Sequence, residues 1–336
     1  MARKTLLMAL GVAAGLVALQ ALLVPLFAGP AANTAPRDLP VAVVGQVKLP
    51  STGQFSVVSV ASAEEADEAI RSREVYAAFI GGPNGLQLHV ASAASPAVSS
   101  LLVQSAAQLG GGKPVPVTDI VPLTSGDPRG SGFAGGFFPL ALTSMAIGVL
   151  LIFLIRTRAA RLAGVLTFSV LTGLVSAAVM QGWLSVLPSA YLSSAAAISL
   201  LALAISSAIA GLGAVAGPRG IGIGALTVFL IGNALGAVAT APELLPQPWG
   251  SFGQWLPIGA GSTLLRSAAY FGWAGSAGPL LALGLWSVLG LALVAVGRWT
   301  PSPATAAPSA SATSPSPASP SAASSTPATL ASSTAA

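Results

Sequence analysis

The sequence predicts a polytopic α-helical membrane protein of six transmembrane helices, with a small α/β extracytoplasmic domain inserted between helices one and two. Three observations carry this. Of the 336 residues, 54% are hydrophobic and 7% charged, whereas about a quarter of a soluble globular domain is charged. The apolar residues gather in runs long enough to cross a bilayer as helices. One stretch, residues 30–136, breaks that pattern and holds the single histidine and every acidic residue except Glu243.

Residues 5–27 form the first apolar run, preceded by Arg3 and Lys4. A cleaved signal peptide is the alternative, but its apolar core usually holds about 7–15 residues, so the length favours an uncleaved anchor. Within the 30–136 insert, PVAVVGQ (40–46) and FSVVSVA (55–61) read as strands, being valine-rich and bounded by Gly, Pro and Ser. Ser62 and Glu65 make a capping box that opens a helix burying Ala66, Ala69 and Ile70. VYAAFI (75–80) and LQLHVA (86–91) are strands joined by a GPNG turn. A helix after Pro96 places Val98, Leu101, Leu102 and Leu109 at helical spacing, and VPVTDIV (115–121) is a last strand. The order ββαββαβ implies a two-layer domain with one sheet and two helices.

GDPRGSG (126–132) reads as a flexible joint back to a five-helix membrane domain, 137–298. Its spans are about 137–155, 162–182, 190–215, 221–241 and 277–297. Residues 242–275 are too broken by Pro and Gly to span and too apolar for an open loop, so they read as interfacial or re-entrant. Trp249, Trp255, Pro257 and Arg266 make this segment a candidate outer gate or interface. Residues 299–336 form a Pro/Ala/Ser/Thr tail with nothing to bury, expected to be disordered.

The charges orient the chain. With both termini cytoplasmic, the inner ends hold Arg3, Lys4, Arg156, Arg158, Arg161, Arg219 and Arg298 and no acid, which is the positive-inside bias. Residues 30–136 are then extracytoplasmic in a multi-pass cell-membrane protein. A net charge of +5 is the kind of balance nucleic-acid binders carry, but the bases flank apolar runs instead of forming a patch, so no nucleic-acid partner is expected. The absence of cysteine excludes disulfides and thiol chemistry.

Little in the chain resembles catalytic chemistry. No nucleophile–base pair is legible, so no catalytic residue, metal or cofactor is expected. No predicted span carries a charged residue, which argues against proton-coupled transport. Ser169, Thr172, Gly173 and Ser176 share one helical face, and Gly232-Asn233-Ala-Leu-Gly236 is a GxxxG pattern. Both read as helix packing, with a substrate pathway as the sharper alternative. His89, alone on the polar face of a strand, reads as a solvated surface residue. Gly110-Gly-Gly-Lys113 lacks the spacing and the Ser/Thr of a phosphate loop and reads as a turn.

An anchor span, an external α/β insert, five clustered spans and a proline-containing hydrophobic hairpin before the last span resemble the permease subunits of type-2 ABC exporters. The likeness is to the subgroup with an extracytoplasmic domain between spans one and two, with phage-infection-protein-like membrane proteins as relatives. EEADEAIRSREVYAAFIGGPNG (64–85) and LPIGAGSTLLRSAAYF (256–271) carry the local resemblance. It implies a transport subunit, not itself an enzyme, that moves a lipophilic or amphipathic substrate. It also implies a separate ATP-binding subunit docked at Arg156, Arg158 and Arg161, a homodimer or heterodimer of permeases, and contact with membrane lipid. Those arginines fit lipid headgroups equally well. The reading from a different class is a membrane-anchored scaffold or receptor whose insert binds an external protein or cell-envelope ligand.

Overall fold

The computed structural model describes residues 2–50, 53–83, 85–111 and 114–300. Asn84 of the GPNG turn, Gly112 and Lys113 of the glycine turn, and the tail from Pro301 lie outside the described residues. The chain is mostly helical. Among the described residues, five helical stretches are long and apolar enough to cross a membrane: Arg3–Ala32, Ser131–Leu154, Arg158–Trp183, Tyr191–Leu235 and Ala277–Val296.

Helix α1 (Ala2–Ala32) is followed by the α/β region: β1 (Leu39–Val44), β2 (Phe55–Val60), α2 (Ala63–Arg71), β3 (Ala77–Gly82), β4 (Gly85–Val90), α3 (Pro96–Leu109) and β5 (Val117–Asp119). The capping box forms: Glu65 N donates to Ser62 Oγ at 3.2 Å, and Glu65 Oε2 accepts from Ala61 N at 2.8 Å. The sheet order is β2-β1-β3-β4-β5, parallel except for the β3–β4 hairpin. β1 is buried on both faces, as a central parallel strand should be.

That double burial corrects the two-layer expectation. Val41, Val43, Phe79, Leu88 and Val90 pack under Val98, Leu102 and Ala106 of α3. Ala42 and Ala78 pack on the opposite face under Ala66, Ala69 and Ile70 of α2. The domain has three layers, helix–sheet–helix. The reading of His89 falls with it. Strand alternation sets His89 opposite Ala78 on the face that α2 covers, so its side chain is only 13% exposed and its Nδ1 lies 2.6 Å from Asp67 Oδ1.

The 126–132 joint is also more ordered than its Gly and Pro content suggests. Gly132 N and Phe133 N donate to the buried Asp127 carboxylate at 3.0 and 2.7 Å. This caps α4 (Ser131–Leu154), whose first turn would otherwise leave its N–H groups without partners.

After α4 come α5 (Arg158–Ala178) with a π-helical last turn, Val179–Trp183, and α6 (Tyr191–Gly224), which continues through a π-helical stretch into α7 (Gly232–Leu235). The Tyr191–Leu235 stretch is not one straight rod. At Gly217, φ is 60° and ψ −140°, outside helical space, and Pro218 follows. Ile209 and Leu212 side chains lie against Gly224, although 15 residues of continuous helix would separate positions 209 and 224 by about 22 Å. The chain therefore reverses at Gly217. A side chain at Gly217 would collide with Trp299. Close approach also joins α6 to α10 (Ala277–Val296), where a Cβ added at Gly211 would lie 2.5 Å from the Gly290 carbonyl oxygen.

One end of this bundle gathers Ile155, Arg161, Ala214 and Trp299. At the other end sits the α/β domain. Between them, α8 (Trp249–Gly253) and α9 (Pro257–Tyr270) form a broken hairpin. Trp286, midway along α10, donates its Nε1–H to the Trp255 carbonyl at 2.8 Å, so the hairpin tip reaches about halfway down that helix. At 14 residues, α9 is about 21 Å long, short of the roughly 30 Å hydrocarbon core. Its Ile258, Leu264, Leu265 and Ala268 belong to the bundle core.

Candidate functional site

The α/β domain is joined to the hairpin by side chains that leave the domain's own elements. Just past the Ser72 C-cap of α2, Arg73 has φ 60°, the left-handed position usually given to Gly or Asn. An arginine placed there instead crosses to α9. Its Nη1 donates to the Thr263 carbonyl at 3.0 Å and to Ser267 Oγ at 2.6 Å, and the guanidinium lies 5.1 Å from the Phe271 ring centroid. Three residues on, the Tyr76 hydroxyl donates to Glu243 Oε2 at 2.8 Å. Burial pushes the Tyr76 phenol well above its ordinary range, helped by the neighbouring Glu243 charge, so the tyrosine stays a neutral donor. Burial lowers the Arg73 guanidinium from its ordinary value, which still leaves it charged.

The apolar cores continue across the same junction. Ala241 and Leu244 complete the cluster under α3, and Phe271 completes the one under α2. The backbone joins in: Ala35 N donates to Leu244 O and Arg37 N to Glu243 O, each at 3.0 Å. Residues 242–275 are therefore the platform on which the domain is built.

Between domain and platform lies a cavity of about 340 Å³. Its polar wall carries Arg73, Tyr76, Glu243, Gln254, Thr263 and Arg266, and its apolar rim includes Pro40, Trp255 and Pro279. Arg266 is 6% exposed; its Nη2 donates to the Val238 carbonyl at 2.6 Å and its guanidinium lies 4.4 Å from the Phe133 ring centroid. Among the described residues, neither Arg73 nor Arg266 has a carboxylate within 4.0 Å. No cluster of three metal-ligating side chains occurs among the described residues.

The sequence-derived residues divide accordingly. Arg266 lines this cavity, and Trp255 forms part of its rim. Trp249 is half exposed on α8, and Pro257 is the buried first residue of α9. Gly232 and Gly236 face Ile258 at the start of α9, so this GxxxG pair packs the hairpin; Asn233 between them is half-buried and outside the cavity lining.

The Ser/Thr face of α5 splits in two. Ser169 is buried and bonds back to Val165 O at 2.8 Å, and Gly173 meets Ala195 and Ser199 of α6. Thr172 and Ser176 instead line an apolar groove of about 530 Å³ between α4 and α5.

Arg156 and Arg158 are exposed, but Arg161 is 1% exposed. The Arg161 Nε donates to Ile155 O at 2.7 Å, Nη2 to Ile152 O at 3.2 Å, and Nη1 and Nη2 both to Trp299 O at 3.2 Å. This corrects its place in a docking surface: Arg161 clasps the C-terminal carbonyls of α4 to Trp299, just beyond α10.

Sequence reasoning missed Arg73, Tyr76 and Glu243. Two signals pointed to them: an arginine where a helix C-terminus calls for glycine, and the lone acid outside the insert. Comparison of the chain with protein-family models, curated proteins and solved structures returns no match.

Proposed function

We propose that this chain is the membrane-spanning permease subunit of an ATP-driven exporter, handling a lipophilic or amphipathic molecule. The observation that carries the reading is the α/β domain built onto a half-depth hairpin, whose side chains complete both of the domain's cores. In such an arrangement an external domain moves with an intramembrane element, as alternating exposure of a substrate path requires. Counting both arms of the Tyr191–Leu235 hairpin gives six crossings, with both termini cytoplasmic and the insert outside. The arginine distribution supports that orientation. ATP hydrolysis comes from a separate subunit docked near the exposed Arg156 and Arg158, and two permeases assemble per transporter.

The experiment is affinity purification of the full chain co-expressed with its neighbouring genes, with and without crosslinking. A co-purifying protein bearing a GxxxxGK[ST] loop, whose ATPase activity responds to this chain, is the expected result. Recovery of the chain with no ATPase even after crosslinking overturns the reading. One observation favours the receptor alternative: edge strand β2 leaves Val57 and Val58 exposed, 49% and 42% respectively, and an open strand edge is a docking template. Against it, the isolated insert would lose Ala241, Leu244 and Phe271 from its cores.

A further inference from the structure

We propose that the cavity between the α/β domain and α9 binds the anionic head of an amphipathic molecule, a phosphate or carboxylate, between Arg73 and Arg266, with its apolar tail leaving past Trp255 and Pro279. The assignment stands on the cavity alone and holds whether or not an ATPase joins the chain.

Charge is the first argument. The inner wall carries two guanidiniums and one carboxylate, Glu243, which already accepts from Tyr76; Glu74, the other acid at the cavity, is exposed at its mouth. Both arginines line the cavity: Arg73 reaches Thr263 and Ser267 of α9, and Arg266 leaves the same helix for the Val238 carbonyl and the Phe133 ring. They repel one another there without a carboxylate in salt-bridge range. Arg266 is buried and Arg73 half-buried, and Glu243 attracts Arg73 only from beyond salt-bridge range; cations so placed without a directly bonded counter-ion are costly. An oxyanion seated between them removes that cost.

The unused donors are the second argument. A guanidinium has five N–H groups. Among the described residues, hydrogen bonds engage only Nη1 of Arg73 and Nη2 of Arg266. The remaining N–H groups are what a phosphate or carboxylate takes up, often two at a time.

Size and surroundings set the rest of the ligand. A volume of about 340 Å³ is at the low end for small-molecule sites, enough for a head group and a short length of chain. Beyond the rim, Gly278 is followed on the same face of α10 by Leu281, Leu285 and Leu289, exposed by 55%, 47% and 60%. That apolar track suits an acyl chain.

The test uses the full-length protein purified in a neutral detergent, with binding read by native mass spectrometry and thermal shift. The probes are a monoacyl glycerophosphate, the matching neutral monoacylglycerol, and inorganic phosphate. The same monoacyl phosphate is also presented in lipid nanodiscs, to separate a lipid reaching the site through the bilayer from an amphiphile arriving through water. Saturable binding of the monoacyl phosphate is expected, at least about tenfold tighter than either other probe, as loss of a charge-assisted contact implies. Arg266→Gln and Arg73→Gln should each weaken it about 10- to 100-fold. Trp255→Ala, at an exposed rim position, should weaken it without altering the melting temperature, and this variant keeps the test valid if an arginine variant fails to fold. Equal binding of the neutral lipid overturns the proposal, as does absence of binding by every probe. Phosphate binding as tight as the monoacyl phosphate overturns the tail assignment.

Discussion

Replacing Arg161 by methionine separates the clasp from a docking role. In the structure the side chain donates four hydrogen bonds to three carbonyls, those of Ile152, Ile155 and Trp299. Hydrogen bonds to a charged group contribute about 1.5–3 kcal/mol each, and a buried acceptor left alone costs about 1–3 kcal/mol. Relief of guanidinium burial offsets part of this, and water reaches the partly exposed Ile155 and the exposed end of α4. A net loss of about 3 kcal/mol remains. At roughly 1.5 °C per kcal/mol for a chain of this size, Arg161→Met should lower the apparent melting temperature by about 4–5 °C. The assay is thermal unfolding in detergent, alongside a double variant in which Arg156 and Arg158 become Gln. That double variant should melt as the parent does, because both side chains are exposed. If Arg161→Met melts as the parent does while capture of an ATP-binding partner is lost, the clasp reasoning is wrong and Arg161 belongs to a docking surface.

Asp127→Asn leaves one acceptor oxygen where two are used by Gly132 N and Phe133 N; a loss of about 2 kcal/mol is expected from the weakened cap and the lost helix-dipole attraction, read as faster proteolysis between the α/β domain and α4. Tyr76→Phe removes the Glu243 bond and a tyrosine whose proton is held above its ordinary range. The folded parent keeps that proton while the unfolded chain releases it above about pH 10. Its stability should therefore fall, relative to the Phe variant, by up to about 1.4 kcal/mol per pH unit above pH 10 and not below, measured by chemical denaturation of both proteins across pH 8–11. Gly290→Ala puts a Cβ about 2.5 Å from Ser207 backbone, a clash costing about 1–3 kcal/mol. Gly284→Ala, with nothing within 4 Å of the added carbon, should be neutral or slightly stabilising; equal melting of the two variants would refute close α6–α10 packing.

What could be read directly from the sequence were the features that depend on neighbours along the chain. Apolar run length marked the long helices, and strand alternation and the Ser62–Glu65 box placed the insert's elements to within a few residues. Its layering was missed because a run such as VAVV does not reveal whether one or both faces are covered; the error carried over to His89, whose polar face turned out to lie under α2. The Gly217 reversal falls in the gap between the expected 190–215 and 221–241 spans, at Gly217-Pro218-Arg219-Gly220. The capped start of α4 was not recognised, although an acid, a proline and a serine ahead of an apolar run are an N-terminus signal.

The cavity itself was illegible for a different reason. Arg73 and Thr263 are 190 positions apart, and Tyr76 and Glu243 are 167 apart; no periodicity or motif spans such distances. Viewed locally, Arg73 ends a helix and Arg266 sits among apolar residues as an interfacial base would. Only the folded chain shows both arginines lining one cavity whose inner carboxylate, Glu243, accepts from a tyrosine. The acids of the insert were therefore a poor guide to function. Most of them cap α2 or face solvent, whereas the one acid outside the insert lies where the domain, the hairpin, the half-buried Arg73 and the buried Arg266 meet.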